Sequence, residues 1–273
     1  MSIITLTTDF GIKDYFVGAL KGSLLSQYPE ALIVDLSHEV SPFNIMEASY
    51  IVGSAYKSFP KGSVHIIGVD ASQTPSVNHL AVLWNGHYFI AANNGVLSMI
   101  MQKFVPEKIV EITIHDRLPE DASVMDVFTT VAVHLAKGGN LSVIGNPIAT
   151  LHEVTELQPV ITEANNTIKG YVMYIDHFGN AITNIDRNLF LETAKGRPYE
   201  LTIKREKVKT IYATYADIER IDAISDHAGK TLAIFNEAGY LEIGVYKSNP
   251  HIGTAATLLG LRYRDFIVIE FKS

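Results

Sequence analysis

Carboxylates and an imidazole stand at the ends of three apolar runs: Asp9 after residues 3–7, His38 after 31–36, and Asp70 after 64–69. A carboxylate in such a place can hold a ligand's hydroxyls or take a proton from water. A second polar set, Asp176-His177-Phe178-Gly179-Asn180-Ala181-Ile182-Thr183-Asn184-Ile185, puts a carboxylate four residues ahead of a carboxamide across a Phe-Gly turn. That pair suits a polar ligand, although Asp and Asn at loop tips often bond only their own backbone. A third set, Asn236-Glu237-Ala238-Gly239-Tyr240-Leu241-Glu242, reads as a turn running into a strand. His152-Glu153 lacks the second imidazole of a zinc-protease helix and the ten histidines are scattered, so no metal site is expected.

The elements that must position these groups follow from periodicity. Residues 3–7, 31–36 and 64–69 are strands, and between them 15–28 carries Phe16, Leu20 and Leu24 at helical spacing until Pro29 stops it. Asn44, with Glu47 three residues on, opens a second helix through Ser58. This alternation predicts a mostly parallel central sheet covered on both faces, with the ligand outside the carboxyl ends of its strands. Asp9, His38 and Asp70 then converge on one place. Asn85-Gly86 joins strands 80–84 and 88–92 as a hairpin. Asn93-Asn94-Gly95 leads into an apolar helical segment, and 124–137 is a further helix ended by Gly138-Gly139. Beyond about residue 150 the pattern changes to short strands, at 170–174, 200–203, 210–215, 232–235, 240–245 and 266–271, which suggest an all-β, barrel-like domain. Domains are therefore expected at 1–155 (α/β) and 166–273, joined by a linker at 151–166.

Composition sets the limits. Of 273 residues, 47% are hydrophobic and 19% charged, which supports real cores and excludes disorder. A net charge of -7 with no run of basic residues argues against a nucleic-acid partner. No stretch reaches the length and apolarity of a membrane span, and the N-terminal residues show no signal peptide. With no cysteine, disulfides and thiolate metal sites are ruled out, and the cytoplasm is the expected compartment.

Taken together and in order, these segments resemble one family. They are Thr7-Thr8-Asp9-Phe10-Gly11 with Val17-Gly18-Ala19-Leu20-Lys21-Gly22, Val34-Asp35-Leu36-Ser37-His38, Phe59-Pro60-Lys61-Gly62-Ser63-Val64-His65, Asn93-Asn94-Gly95-Val96-Leu97-Ser98, and the two C-terminal sets above. The chain is identified as a member of the S-adenosylmethionine (SAM) hydroxide adenosyltransferases, relatives of the SAM-dependent fluorinase and chlorinase. The resemblance implies a homotrimer, with SAM or adenosine bound between one subunit's N-terminal domain and a neighbour's C-terminal domain. It implies that Asp9 holds the ribose hydroxyls and that Phe43 lays an aromatic ring against the ligand. Asp176 and Asn180 would contact the methionine and ribose portions, and Asn236 would stand in the C-terminal wall. Asn94, Phe178 and Tyr240 complete the expected ligand-binding set. No cofactor is implied beyond SAM itself as substrate or ligand.

The resemblance breaks at the reacting centre. Active hydrolases of the family resemble one another in a loop Val-Asp-Pro-Gly-Val-Gly-Thr-x-Arg-Arg and in a later His-Gly-Arg-Asp segment. Here the loop reads Val69-Asp70-Ala71-Ser72-Gln73-Thr74-Pro75-Ser76-Val77-Asn78-His79. Asp70 is kept as a possible base, Val77 holds the catalytic Arg position, Ser123 holds the His position, and Met125 replaces the other Arg. His79, two residues past the lost Arg, is a substitute candidate, although a lone loop His is commonly a surface residue. Three readings stay open. The first is a divergent adenosine-forming SAM hydrolase. The others are a SAM- or adenosine-binding protein without turnover, and an enzyme acting on another nucleoside-like substrate or with another nucleophile.

Overall fold

The computed structural model describes residues 2–102, 104–154, 158–162, 166–221 and 226–272. The chain divides into two units, Met1–Val154 and Thr155–Ser273. Residues 155–157 and 163–165 of the expected linker lie outside the described residues.

The first unit is built on seven strands: β1 (Ile3–Thr8), β2 (Leu32–Ser37), β3 (Val64–Gly68), β4 (His79–Trp84), β5 (His87–Ala92), β6 (Lys108–Ile112) and β7 (Gly145–Pro147). Their order across the sheet is β2-β1-β3-β5-β4-β6-β7. The β1–β2, β1–β3 and β3–β5 pairs are parallel, and β4 runs against both β5 and β6, as β7 does against β6. Only β4 and β7 therefore oppose the other five, giving the mostly parallel sheet expected. Four helices cover it: α1 (Phe16–Gln27), α2 (Ile45–Ala55), α3 (Val96–Met101) and α4 (Val124–Ala136).

Strand periodicity divides the apolar side chains between two faces. Ile4, Leu6, Ile66, Ala81 and Ile90 pack with Leu20, Leu24, Val127 and Phe128 of α1 and α4. Ile67, Leu80, Val82, Phe89 and Ala91 pack with Ala48, Val52, Val96 and Leu97 of α2 and α3. Every residue of β3 is buried. The hairpin holds as read, with Asn85 at φ 50° and Gly86 at φ 77°, the left-handed pair that a two-residue connection of this twist requires. The strands β6 and β7 were missed. β7 is three residues long, and two 3₁₀ turns and α4 separate it from β6, so neither shows a clear period.

The second unit holds β8 (Val160–Ile161), β9 (Thr167–Ile175), β10 (Ala181–Asp186), β11 (Tyr199–Ile203), β12 (Glu206–Val208), β13 (Ile211–Tyr212), β14 (Thr231–Phe235), β15 (Tyr240–Val245) and β16 (Phe266–Phe271). They form a nearly closed, barrel-like sheet in the order β12-β11-β16-β9-β10-β15-β14-β13, with β8 added on β9. Short helices α5 (Arg187–Ala194), α6 (Asp217–Ile221) and α7 (Ala255–Leu258) decorate it. Its core is aliphatic, with Ile168, Val172, Ala181, Ile185, Leu201, Leu241, Ile243 and Ile269 at the centre. Two expectations change. Residues 160–161, read as linker, are a strand because β9 offers them an open edge, and residues 181–185 of the 176–185 motif lie on a strand, β10, in which Ala181, Ile182, Thr183 and Ile185 are buried. Among the described residues no helix is long and apolar enough to cross a membrane.

One core feature carries a cost in acid. His65, on β3, is fully buried, with Nδ1 2.7 Å from Thr5 Oγ1 and Nε2 3.2 Å from His87 Nδ1. Burial, with the neighbouring His87 adding to it, lowers its pKa to about 3. The unfolded chain binds that proton near pH 6.5, so this stability is whole above that pH and is lost as pH falls toward the folded value. Urea unfolding at pH 5 should give on the order of 2 kcal/mol less stability than at pH 7 from this residue alone, and His65→Phe should flatten that slope.

Candidate functional site

At the carboxyl rim of the parallel strands, side chains secure the backbone where it leaves the sheet. Thr8, the last residue of β1, sets its hydroxyl 2.8 Å from Nδ1 of His38, just beyond β2. His38 Nε2 lies 3.2 Å from Asp35 Oδ1, and Lys21 on α1 meets the other oxygen of Asp35 at 2.5 Å. Burial opposes the charge on Asp35, yet hydrogen bonds and charge from Lys21 and His38 hold its pKa below the ordinary value. The His38 carbonyl accepts from Gly11 N at 2.7 Å, closing the Asp9 loop onto β2. Asp9 Oδ2 accepts from Phe43 N at 3.0 Å. Phe43 is left-handed, φ 62°, and 72% exposed.

Beyond β3, Asp70 is exposed and also left-handed, φ 46°. Asn94 Nδ2 donates to the carbonyls of Val69 at 3.2 Å and Asp70 at 3.0 Å, while its Oδ1 accepts from Val96 N at the start of α3. The next carbonyl, Ala71, accepts from His79 Nε2 at 2.9 Å. His79 is the first residue of β4 and 1% exposed, which corrects its reading as a loop residue. Its ring meets Phe128 edge-on at 4.8 Å, and burial lowers its pKa. Val77 closes a tight turn in which Thr74 and Val77 exchange backbone hydrogen bonds at 3.1 Å. Ser123 is the N-cap of α4: its Oγ accepts from Asp126 N at 3.2 Å, and the Asp126 carboxylate takes Ser123 N and Oγ at 2.8 and 2.7 Å.

The second unit gathers its polar groups around β10 and β15. Asp176 accepts from Asn180 N at 2.8 Å and from Asn180 Nδ2 at 3.0 Å, the local bonding its spacing allowed for. Phe178, at the tip, is 64% exposed. Asn236 Oδ1 accepts from Tyr240 N at 3.1 Å, tightening the turn into β15. Glu242 was quoted only as the end of the third set, with no role, and its partner Tyr215 was missed. Glu242 is buried on β15 and accepts from the Tyr215 hydroxyl at 2.5 Å. Burial raises its pKa, the Asp176 charge adds to the rise, and hydrogen bonds from Tyr215 and Asn236 oppose it. Burial, and then Glu242, push the Tyr215 hydroxyl up in turn. A charged residue inside the apolar strand 240–245 was a usable signal for Glu242. Tyr215 carried none, since it falls beyond β13 in an irregular stretch.

Residues 4–145 match the family model described as the SAM hydroxide adenosyltransferase N-terminal domain, and residues 170–268 match the C-terminal domain of the same name. The chain belongs to the SAM hydroxide adenosyltransferase family. Within reach of this family, a Methanocaldococcus jannaschii protein named (R)-S-adenosyl-L-methionine hydrolase is 28% identical, covering 99% of this chain and 97% of its own. A Nocardia brasiliensis fluorinase is 26% identical over 88% of this chain and 89% of its own. The crystal structure of a conserved Thermotoga maritima protein superposes with a TM-score of 0.82 at 29% identity, covering 98% and 99% of the two chains. In this member of the SAM hydroxide adenosyltransferase family Asp9 meets Phe43, Asn94 bonds the Asp70 carbonyl, and His79 bonds that of Ala71. Asp176, Phe178 and Asn180 form one loop in the second unit, and Asn236 and Tyr240 form another.

The Tyr215–Glu242 bond depends on Gly244, where a methyl group would overlap the Tyr215 hydroxyl and crowd Asn180. Tyr215→Phe, which leaves a buried carboxyl without that donor, should cost about 1–3 kcal/mol in chemical denaturation. Gly244→Ala should cost a similar amount, and the double variant little more than either, because both break one contact.

Proposed function

We propose that this chain is a SAM hydrolase that forms adenosine and L-methionine, with Asp70 as the base. The observation that carries this reading is the Asp70 carboxylate itself, exposed at the rim of the sheet on a left-handed backbone. Non-glycine residues held in that region cost stability and collect at functional sites. Family membership and the hydrolase name of full-length relatives support the reaction. In the reaction a water oxygen bonds to C5′ of SAM as its proton passes to Asp70. The C5′–S electron pair stays on sulfur, which leaves as the neutral thioether of methionine. Attack of a hydroxide-like oxygen on a sulfonium annihilates charge, so the site works by alignment and exclusion of water.

Around that step, Asp9 takes the ribose hydroxyls, and Phe43 and Phe178 offer aromatic faces to the ligand. Asp176 and Asn180 contact the methionine and ribose portions, with Asn236 and Tyr240 in the wall. The protein works as a cytoplasmic homotrimer whose neighbouring subunits complete each site, and SAM is the only small molecule required. The two exposed rings, each beside a motif that the family resemblance assigns to the ligand, are consistent with such completion.

A second reading has an observation of its own. Ser123 and Val77, at the positions of the family's catalytic His and Arg, are occupied with a helix cap and a turn, which favours a protein that holds SAM or adenosine without turnover. Incubation with SAM, with adenosine followed by chromatography against a no-enzyme control, separates the two. The hydrolase reading expects adenosine to accumulate, and Asp70→Asn to lower its rate by about 10²–10³ while calorimetric SAM binding survives. Binding with no adenosine at high enzyme would leave the second reading standing.

A further inference from the structure

Asp70 is a non-glycine residue with positive φ, and no regular element imposes that conformation on it. The two peptide planes on either side of its Cα set φ and ψ, and each plane can be located by its carbonyl oxygen. The carbonyl of the preceding plane, Val69, and that of the following plane, Asp70, accept from one nitrogen, Asn94 Nδ2, at 3.2 and 3.0 Å. The plane after that, carried by Ala71, accepts from His79 Nε2 at 2.9 Å. Three successive carbonyls around the carboxylate are thus held by two side chains.

Both side chains are themselves fixed. Asn94 Oδ1 accepts from Val96 N, and Asn94 is followed by Gly95 at φ 103°, where a methyl group would overlap Val154. With Nδ2 committed to two carbonyls and Oδ1 to a backbone N–H, the carboxamide has no N–H left for a ligand. His79 is 1% exposed against Phe128, and a carbonyl partner requires its proton on Nε2. The lowering of its pKa by burial keeps it in that neutral form.

We propose that Asn94 and His79 are positioning residues: together they hold the backbone of Asp70 left-handed and so aim its carboxylate. This rests on Asp70 being the base, and it gives Asn94 a role different from the ligand contact expected from sequence. A ligand contact removed weakens binding. A positioning contact removed slows the step and leaves binding alone.

The test is a cycle on the full chain. Asn94→Ala should lower kcat about tenfold to a hundredfold, as small misplacements of a reacting group do, with calorimetric SAM affinity unchanged. His79→Leu should act in the same direction and His79→Gln, which returns an N–H, should recover part of the loss. In the Asp70→Asn background neither substitution should lower the residual rate further. A fall in SAM affinity with kcat intact, or an undiminished effect without Asp70, overturns the assignment. A second readout does not need turnover. Asp70→Gly removes the conformational cost and should raise Tm by about 2–4 °C, and by less once Asn94→Ala or His79→Leu frees the loop. An equal gain in all backgrounds overturns the clamp. If the wild-type chain forms no adenosine the hydrolase reading falls by itself, and the thermal cycle still decides the clamp.

Discussion

Burial of the central strands on both faces is the constraint from which the first unit follows. β3 exposes no residue, and the apolar side chains of β3 and β5 alternate between two cores, one of them shared with Ile4 and Leu6 of β1. Nothing polar can be presented from the middle of such a sheet without an expensive buried partner. Chemistry is pushed to the ends of the strands, where the chain must turn and where backbone groups lose their ladder partners. The residues found there answer that loss. Asp9 accepts from Phe43 N, and Asn94 and His79 serve the carbonyls from Val69 to Ala71. The same polar side chains that make the rim look like a binding site are, atom by atom, what keeps the rim in one shape.

The second unit solves a related problem with a barrel. Its polar groups cluster at turns, with Asn180 closing onto Asp176 and Tyr240 N donating to Asn236. The exception is Glu242, a carboxyl inside the wall. It is tolerated because the bare backbone of Gly244 leaves room for the Tyr215 hydroxyl to reach it. A buried acid with a donor on one side and the charge of Asp176 on another makes this patch sensitive to small changes in packing.

Much of this was legible in the sequence, for identifiable reasons. Strands buried on both faces read as apolar runs, so β1, β3 and β5 stood out, and β2 was apolar enough to register although it lies at the sheet edge with no buried residue; Asn85-Gly86 was as clear. The Asn44 cap was equally direct, and its side chain accepts from Glu47 N at 3.2 Å. The short antiparallel edge, β6 and β7, escaped because three to five residues carry too little period to register. At the site, residue types located the rim, but types do not say which partner a side chain faces. Asn94 was read as a ligand contact and donates to the carbonyls of Val69 and Asp70, and His79 looked exposed and is buried. The residues that depend on long-range packing, Tyr215 above all, had no local mark.

The cap on α4 has a consequence for how this chain can change. Ser123 and Asp126 satisfy each other's backbone at the start of the helix. Replacing Ser123 with an imidazole would therefore remove the cap at the moment of introducing the new group, at about 1 kcal/mol. The other half of the family's set would still be lacking, because Val77 closes a turn in a loop without glycines. A histidine placed at 123 alone would thus start α4 without its serine cap while Val77 still closed its turn.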